Sequence, residues 1–215
     1  MEDDYMKIKL YNEPIPHIII DNIFDDEQYQ RVWKELQYLA PNMVGPDGTH
    51  AAKDPKELEN GNTEFTFRKR GVGIFLEAFF KNPYQHSEIA KTYSSIFNDP
   101  KVFEEIYEQS PFFLMFKNVN NTSLLVQKYN NSDEYASHKD EGVFTMVTLL
   151  YKEPKAYSGG DFCFTEFGKT YTVPLSNNQS VIFCSAIEHK VTQVISESNE
   201  IEDSRFTIAA FMGMK

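Results

Sequence analysis

The chain has 215 residues, 41% of them hydrophobic and 14% aromatic, so it can bury a sizeable core and needs no disulfides to fold. Its 32 acidic and 21 basic residues leave a formal charge of −11, which argues against a protein that binds nucleic acid or anionic membranes through clustered basic side chains. Because no apolar run approaches the about 18 residues of a membrane span and the start lacks the apolar core of a signal peptide, we predict a soluble, intracellular (cytoplasmic) protein.

The first half of the chain predicts helices around one short strand and one long loop. Residues 17–20 form a short β-rich run that predicts a buried strand. Asp25 and Asp26 lie where a helix N-cap would fall, ahead of apolar residues at helical spacing as far as Leu39, so a helix should follow. Residues 40–63 are rich in Gly, Pro, Asn and charge, which predicts a loop, and loops of this length tend to be lids or binding loops. Further helices are predicted at residues 73–80, 88–97 and 102–108.

Beyond residue 110 the pattern changes to short β-rich runs separated by polar turns. They are FFLMFK, SLLVQKYN, FTMVTLLY, DFCFTEF, KTYTVPL, SVIFC, HKVTQVI and RFTIAAFMG. Such a series without helical patterns in between is typical of an antiparallel sandwich or jelly roll. We therefore predict a mainly β single domain (α+β) over residues 1–215, in which 1–110 form helical support and a lid loop and 111–215 form the jelly-roll core. Its two cysteines, Cys163 and Cys184, are expected to be reduced thiols.

Three residues of the β half are candidate ligands of one metal ion. His138 and Asp140 are two positions apart, and in an extended segment such side chains point to the same side. His189 begins another predicted strand, which a jelly roll can bring alongside. Two imidazoles and one carboxylate are the ligand set of non-haem Fe(II) oxygenases, because three coordination positions stay open. A His-x-Asp pair by itself is a weak signal, since a solvated turn can hold the same residues.

Arg205 is a single charge in the mostly apolar run RFTIAAFMG. A buried charge is costly unless it is paired, and a guanidinium suits bidentate binding of a carboxylate. Thr207 lies two positions further, on the same side, and can add a hydroxyl donor. The alternative is a salt bridge from Arg205 to Glu202 or Asp203 at the end of the strand.

Four motifs, in this order, resemble the Fe(II)/2-oxoglutarate-dependent dioxygenases of the prolyl 4-hydroxylase type. They are Tyr129-x-x-Ser132-x-x-Tyr135-x-x-His138-x-Asp140, Leu149-Leu150-Tyr151 with Ser158-Gly159-Gly160-Asp161-Phe162, Val181-Ile182-Phe183 before His189, and Arg205-Phe206-Thr207. Residues 14–24 are also similar to the opening strand of that family. Two departures are Ser132, where the family usually has a glycine, and Phe211, where many relatives have a tryptophan. The resemblance covers most of the chain and is tightest near 123–213.

The resemblance implies a double-stranded β-helix that hydroxylates a substrate C–H bond with release of succinate and CO₂. The implied cofactors are Fe(II), 2-oxoglutarate as co-substrate and O₂, with ascorbate as a reductant. The implied iron ligands are His138, Asp140 and His189. The residues implied to bind the co-substrate are Arg205, which would pair with the distal carboxylate, Thr207, Tyr129 and Tyr151.

The substrate that we expect is a prolyl residue in a protein or peptide, with no nucleic acid or membrane partner. Arg68 and Arg70 follow the predicted lid loop, and cations in so acidic a chain suggest a site for an acidic or carbonyl-rich peptide; a solvated basic turn is the alternative. Tyr135 is a further candidate, with core packing as its alternative. Other functions stay open: hydroxylation of a free amino acid or other small molecule, a catalytically silent jelly-roll binding module, and a cupin-like metalloprotein that does not use 2-oxoglutarate.

Overall fold

The computed structural model describes residues 6–198 and 200–214 and contains two antiparallel sheets with helices packed against the larger one. The α-helices in these ranges are α1 Asp26–Leu39, α2 Leu76–Phe79, α3 Pro83–His86, α4 Glu88–Asn98 and α5 Pro100–Gln109. The strands in the same ranges are β1 Lys7–Tyr11, β2 His17–Asp21, β3 Lys53–Glu57, β4 Thr63–Phe67, β5 Val72–Phe75, β6 Asn121–Tyr129, β7 Tyr135–His138, β8 Phe144–Leu150, β9 Ser158–Gly159, β10 Phe162–Glu166, β11 Lys169–Val173, β12 Gln179–Cys184, β13 His189–Val191, β14 Val194–Ile195 and β15 Arg205–Gly213.

The larger sheet has seven strands in the order β1-β2-β12-β8-β15-β6-β5, and each neighbouring pair is antiparallel. The smaller sheet has the order β11-β10-β13-β7 and is also antiparallel. Two further pairs, β14-β9 and β3-β4, lie beside them. The mainly β jelly roll with supporting helices is therefore as predicted, but β1, β2 and β5 from the first half of the chain also belong to the larger sheet.

Both faces of the larger sheet are buried, and alternate residues of its strands serve the two faces. In β8, Met146 packs into the cluster formed with the helices, whereas Val147 packs into the cluster formed with the smaller sheet. The same alternation separates Ile18 from Ile19 in β2. This follows from the two-residue period of a strand. The sheet thus presents one face to the helices and the other to the interior between the two sheets.

Helix α1 confirms the prediction made from Asp25 and the apolar spacing behind it. The Asp25 carboxylate accepts a hydrogen bond from the Gln28 backbone N–H at 2.7 Å, and the Gln28 side chain accepts one from the Asp25 N–H at 2.9 Å. This reciprocal capping box satisfies backbone donors that the first turn of a helix leaves free. Trp33 then packs edge-on against Phe206 of β15 with ring centroids 5.6 Å apart, which ties the helical layer to the sheet.

The predicted loop at residues 40–63 is wrong in its second part. Short 3-10 turns cover Ala40–Asn42 and Pro46–Thr49, and β3 and β4 then form a hairpin. The Asn60-Gly61 pair lies in its turn, where Gly61 has a φ of 80°, and such a pair is a strong hairpin signal. Both strands of this hairpin are largely exposed. They therefore carry many polar residues and lack the apolar pattern by which a buried strand is predicted.

Two other predicted elements also differ from the structure. The run FFLMFK forms a 3-10 helix, Pro111–Asn118, because its buried residues Phe113 and Phe116 are three positions apart, which matches the three residues per turn of that helix. Residues 73–75, predicted as the start of a helix over 73–80, belong instead to strand β5, Val72–Phe75, at the edge of the larger sheet before the short helix α2. The predicted helices at 88–97 and 102–108 are confirmed as α4 and α5.

Both cysteines are free thiols, as predicted. Among the described residues, no helix is long and apolar enough to cross a membrane.

Candidate metal centre

The two histidines of the predicted ligand set face each other across a pair of strands. His138 ends β7 and His189 begins β13, and the two residues are direct partners in this antiparallel pair. Directly opposite residues of such a pair place their side chains on the same face of the sheet. The two rings are accordingly 4.3 Å apart between centroids, and both side chains are buried.

Asp140 lies two residues beyond His138 and completes the group. Its carboxylate oxygens are 3.6 Å from the Nε2 of His138 and 3.3 Å from the Nε2 of His189. The Asp140 backbone N–H donates to the Ser185 carbonyl at 3.0 Å, and the Thr145 hydroxyl donates to the Asp140 carboxylate at 2.8 Å. The structure therefore brings together the three residues that the sequence nominated, and their ligand atoms all lie within 4.8 Å of one another.

Backbone carbonyls fix the orientation of both imidazoles. The Nδ1 of His138 is 2.9 Å from the Ala136 carbonyl oxygen, and the Nδ1 of His189 is 3.0 Å from that of Ile187. A carbonyl can only accept, so each Nδ1 carries the proton and each Nε2 turns its lone pair towards Asp140. Metal-binding histidines are oriented in this way. Two neutral imidazoles and one carboxylate on a common point fit Fe(II).

Burial keeps His138 neutral. Desolvation, with a smaller effect of the neighbouring His189, lowers the pKa of His138 to about 4. Burial alone would raise the pKa of Asp140, but the adjacent His189 keeps it below its usual value. The site at neutral pH therefore offers a free imidazole lone pair and a charged carboxylate, which is the ionisation state that a divalent cation requires.

We expect the metal-free protein to lose stability as the pH falls from about 6.5 to 4. An unfolded chain protonates His138 near pH 6.5, whereas the folded chain does so only near the pKa of about 4. Between these values the unfolded state binds the extra proton, which lowers the free energy of unfolding by roughly 3 kcal/mol at the acid end. Urea denaturation at a series of pH values measures this loss. His138→Gln should reduce the loss, and part should remain because burial also lowers the pKa of His17. An unchanged pH dependence in His138→Gln would contradict the assignment.

Arg205 lies at the start of β15, completely buried, with most of its hydrogen-bonding capacity unused. Its Nε donates to the Gly160 carbonyl at 2.7 Å, and the guanidinium lies 4.9 Å from the centre of the Tyr129 ring. Neither Nη1 nor Nη2 has a hydrogen-bond partner, and no carboxylate of the described residues pairs with this cation. Glu202, the alternative partner, bonds instead to Gln37 at 2.6 Å. Two buried, unpaired NH₂ groups of a guanidinium are the counterpart of a missing carboxylate.

Tyr157, which the sequence analysis did not single out, interacts with Arg205. The Tyr157 hydroxyl is buried without a hydrogen-bond partner, and Tyr157 and Arg205 interact electrostatically. Burial raises the pKa of Tyr157, so its hydroxyl remains a donor. The sequence could have indicated Tyr157 only through its position directly before the Ser158-Gly159-Gly160 motif. Three unused donors close to one another fit the distal carboxylate of 2-oxoglutarate.

Two of the three other predicted co-substrate residues lie next to the metal ligands. Tyr129 and Thr207 line a small cavity, about 30 Å³, against the three ligands. Their hydroxyls both point to Gln127, with the Thr207 hydroxyl 3.0 Å from its side-chain oxygen and the Tyr129 hydroxyl 3.4 Å from it. Gln127, also in the cavity wall, was not anticipated. Tyr151 does not line this cavity and packs edge-on against Tyr157 at 5.9 Å, so its role stays a prediction.

Comparisons with known proteins agree with this geometry. Residues 124–213 match the model of the 2OG-Fe(II) oxygenase superfamily. The matched part is less than half of the chain and contains His138, Asp140, His189 and Arg205. An uncharacterized PKHD-type hydroxylase of Synechocystis sp. is 30% identical over 109 residues, which cover 43% of this chain and 36% of that protein. The match thus spans about a third of the length of that curated relative.

Solved structures with a similar fold align with most of the chain. A prolyl 4-hydroxylase from Pseudomonas putida superposes with a TM-score of 0.62 at 11% identity, covering 93% of this chain and 92% of its own. A prolyl hydroxylase from Trichoplax adhaerens, solved with a hypoxia inducible factor peptide fragment, gives 0.56 at 13% identity, covering 92% and 83%. Likeness at these identities shows the fold, and it confirms the predicted jelly roll.

Ser132 stands where the family that the sequence resembles usually has a glycine. Ser132 occupies the turn between β6 and β7 with a φ of 69°, a left-handed conformation that glycine adopts without strain. Its N–H donates to the Val194 carbonyl at 2.8 Å. The turn between β6 and β7 therefore keeps a glycine-like backbone although the residue is serine.

The three candidate substrate residues lie in two segments: Arg68 and Arg70 follow β4, and Tyr135 begins β7. Arg68 is held in the β3–β4 hairpin, where its Nε is 2.9 Å from a carboxylate oxygen of Asp54, and it donates to the Ser137 carbonyl at 2.7 Å. Arg70 is exposed, with its Nε 3.9 Å from Glu134. Tyr135 stacks on His138 with centroids 3.5 Å apart. Roles for these three residues in substrate binding stay predictions.

Gly160→Ala is expected to weaken 2-oxoglutarate binding tenfold or more while leaving Fe(II) binding unchanged. A Cβ at Gly160 would lie 2.7 Å from the Arg205 Cδ and 3.0 Å from its Nε, so the guanidinium must move. Calorimetric titration with 2-oxoglutarate measures the effect. Gly168→Ala is the matched control, because Gly168 also has a positive φ, 74°, but nothing lies within 4 Å of its Cβ position. Equal losses in the two variants would show that backbone strain, not displacement of Arg205, is responsible.

Thr145→Val is expected to weaken Fe(II) binding by about tenfold, because ligand orientation by outer hydrogen bonds is worth 10–100-fold in metal affinity. The change removes the hydroxyl that donates to Asp140. Competition with a chelating dye measures the affinity. Thr148→Val is the control, since Thr148 is equally buried in β8 but its hydroxyl bonds to Ser180 at 2.5 Å. A similar loss in both variants would contradict a specific role for Thr145.

Proposed function

We propose that this protein hydroxylates a prolyl residue in a protein or peptide and depends on Fe(II), 2-oxoglutarate and O₂, with ascorbate as a reductant. The observation that carries the proposal is the buried Arg205, whose Nη1 and Nη2 groups are both unused, in the same domain as the His138–Asp140–His189 group. A metal site alone fits many functions, whereas a metal site with a carboxylate receptor fits a dicarboxylic co-substrate. Bound ferrous iron supplies the chemistry that couples oxidation of 2-oxoglutarate to succinate and CO₂ with hydroxylation of a C–H bond.

The contribution of this chain is to bind and orient. His138, Asp140 and His189 would hold the metal through Nε2, a carboxylate oxygen and Nε2. Arg205 and Tyr157 would donate to the distal carboxylate of 2-oxoglutarate, with Tyr129 and Thr207 in the wall between. The remaining wall includes apolar side chains from both sheets, which keep water from the reacting atoms. Those apolar residues are Val147, Phe162, Val191 and Ala209.

The prolyl part of the proposal draws on the relatives. Two of the structures that share this fold are a prolyl 4-hydroxylase and a prolyl hydroxylase. The runner-up is a hydroxylase of a free amino acid or another small molecule, which the same scaffold could serve.

The proposal is tested by anaerobic addition of 2-oxoglutarate to the Fe(II)-loaded protein. We expect a weak visible charge-transfer band, succinate formation once O₂ is admitted, and prolyl peptides that gain the mass of one oxygen atom. Absence of Fe(II)-dependent succinate would overturn the oxygenase function and favour a silent binding module. Metal binding that is indifferent to 2-oxoglutarate would favour a cupin-like protein. Succinate formation without modification of any prolyl peptide would overturn the prolyl substrate alone.

A further inference from the structure

Lys69 is a buried lysine without a counter-ion. Its side chain is 2% exposed, and its ammonium makes one long hydrogen bond, 3.4 Å, to the Thr49 hydroxyl. Among the described residues no carboxylate lies within ion-pair distance, although Asp133 acts on Lys69 from further away. An ammonium has three donors, so two have no partner. Consistent with this, desolvation lowers the pKa of Lys69 to about 8.

Lys69 and its hydrogen-bond partner Thr49 both line a cavity of about 390 Å³ that adjoins the metal centre. This larger cavity and the small one against the metal ligands share four wall residues, Gln127, Tyr135, Asp140 and Phe211. Lys69 is also directly opposite Tyr135 in a β-bridge, and the Tyr135 ring stacks on His138. The cavity is therefore the space through which a substrate can approach the metal ligands, and Lys69 is close to them in the fold.

The rest of the wall gives the cavity two kinds of surface. Phe75, Leu125 and Phe211 form an apolar part, which suits a hydrocarbon body. Lys139 and Glu141 are exposed and oppose each other in charge, so they leave the local balance near zero. Asp140 also lines the cavity, but its carboxylate belongs to the metal-ligand group. Among the described wall residues, Lys69 is therefore the buried charge with neither a counter-ion nor a place in that group.

We infer that Lys69, assisted by the Thr49 hydroxyl, binds a carboxylate of the substrate in this cavity. A buried cation with unused donors destabilises the folded chain until an anion pairs with it. One ammonium and one hydroxyl match the single charge of a carboxylate. This inference rests on the proposed function and narrows it to a substrate with an apolar body and a carboxylate, either a free acid such as an amino acid or an acidic side chain or C-terminus of a peptide.

The test compares acids with their amides under anaerobic conditions, so that binding is separated from turnover. Calorimetry of the protein loaded with Fe(II) and 2-oxoglutarate uses free amino acids including L-proline, prolyl peptides with a free C-terminus, prolyl peptides with Glu beside the proline, and the corresponding amides or Gln peptides. We expect the best acid to bind at least tenfold more tightly than its amide. Lys69→Met should bind acid and amide equally, and the pair that shows the preference identifies the source of the carboxylate. No preference in the wild type, or a preference kept in Lys69→Met, would overturn the inference.

A second measurement separates a binding residue from a structural one. Lys69→Met should raise the melting temperature of the ligand-free protein by a few degrees, because it removes an unpaired buried charge. Lys81→Met, at an exposed lysine, should leave it unchanged. A fall in melting temperature for Lys69→Met would mean that the ammonium is satisfied within the fold, and would overturn the inference.

The two proposals fail in different ways. Uncoupled conversion of 2-oxoglutarate to succinate by the wild type tests the oxygenase function without any change at Lys69. If the wild type forms no succinate yet prefers acids through Lys69, the oxygenase function fails and the carboxylate site stands. If succinate forms but acids and amides bind alike, the reverse holds.

Discussion

Arg205→Met is expected to raise the dissociation constant for 2-oxoglutarate at least 100-fold while Fe(II) still binds. Truncating one partner of a buried, hydrogen-bonded charge pair costs about 2–5 kcal/mol. Arg205 is the buried cation that would form such a pair with 2-oxoglutarate, because its Nη1 and Nη2 groups are unused and it interacts with Tyr157. Anaerobic titration with 2-oxoglutarate, read from the charge-transfer band, measures the loss. Arg31→Met, at a partly exposed arginine that bonds to Glu88 at 3.0 Å, is the control and should bind 2-oxoglutarate normally.

The stability of the same variant gives an independent readout. Since Nη1 and Nη2 have no hydrogen-bond partner among the described residues, Arg205→Met should melt at or above the temperature of the wild type. Addition of 2-oxoglutarate should then raise the melting temperature of the wild type alone, because a ligand stabilises only the protein that binds it. A variant that unfolds far below the wild type, or one that still responds to 2-oxoglutarate, would contradict the role assigned to Arg205.

His189→Ala and Asp140→Ala are each expected to abolish stoichiometric Fe(II) binding and to reduce succinate formation at least 1,000-fold, about 4 kcal/mol in activation free energy. The three ligands act on one ion, so the double variant should be no worse than either single one. Chelation of the metal should reproduce the defect in the wild type and not worsen it in the variants.

His17→Gln is a matched control for the histidine variants. His17 is buried, and its Nδ1 lies 2.7 Å from the carbonyl two residues earlier, as in both ligand histidines. It lies outside the metal-ligand group. Normal Fe(II) binding in His17→Gln with none in His189→Ala would show that the loss is specific; equal losses would point to unfolding.

The metal ligands could be predicted because their signal is short-range and distinctive. The two-residue spacing of His138 and Asp140 is visible in the sequence, and the motifs around His189 and Arg205 extend it. The direct cross-strand pairing of His138 with His189 could not be read from the sequence, because strand register depends on contacts between distant segments.

The residues that were missed owe their roles to burial, which the sequence reports poorly. Tyr157 is one of twelve tyrosines, and only the structure shows its hydroxyl buried and unpaired. In the run Arg68-Lys69-Arg70 the arginines attracted attention as cations. Alternation along an extended segment turns the middle residue to the opposite side, and that side is buried. The same principle would have singled out Lys69 if the segment had been recognised as extended.

Strand β8 is buried on both faces, and its two faces serve different purposes. Phe144, Met146 and Leu150 pack against the helical layer, whereas Thr145 bonds to a metal ligand and Val147 lines its cavity. A saturation scan along this strand should therefore give a sawtooth. Changes at even positions would mainly reduce the yield of folded protein, and conservative changes at the odd positions 145 and 147 would mainly reduce turnover per folded molecule.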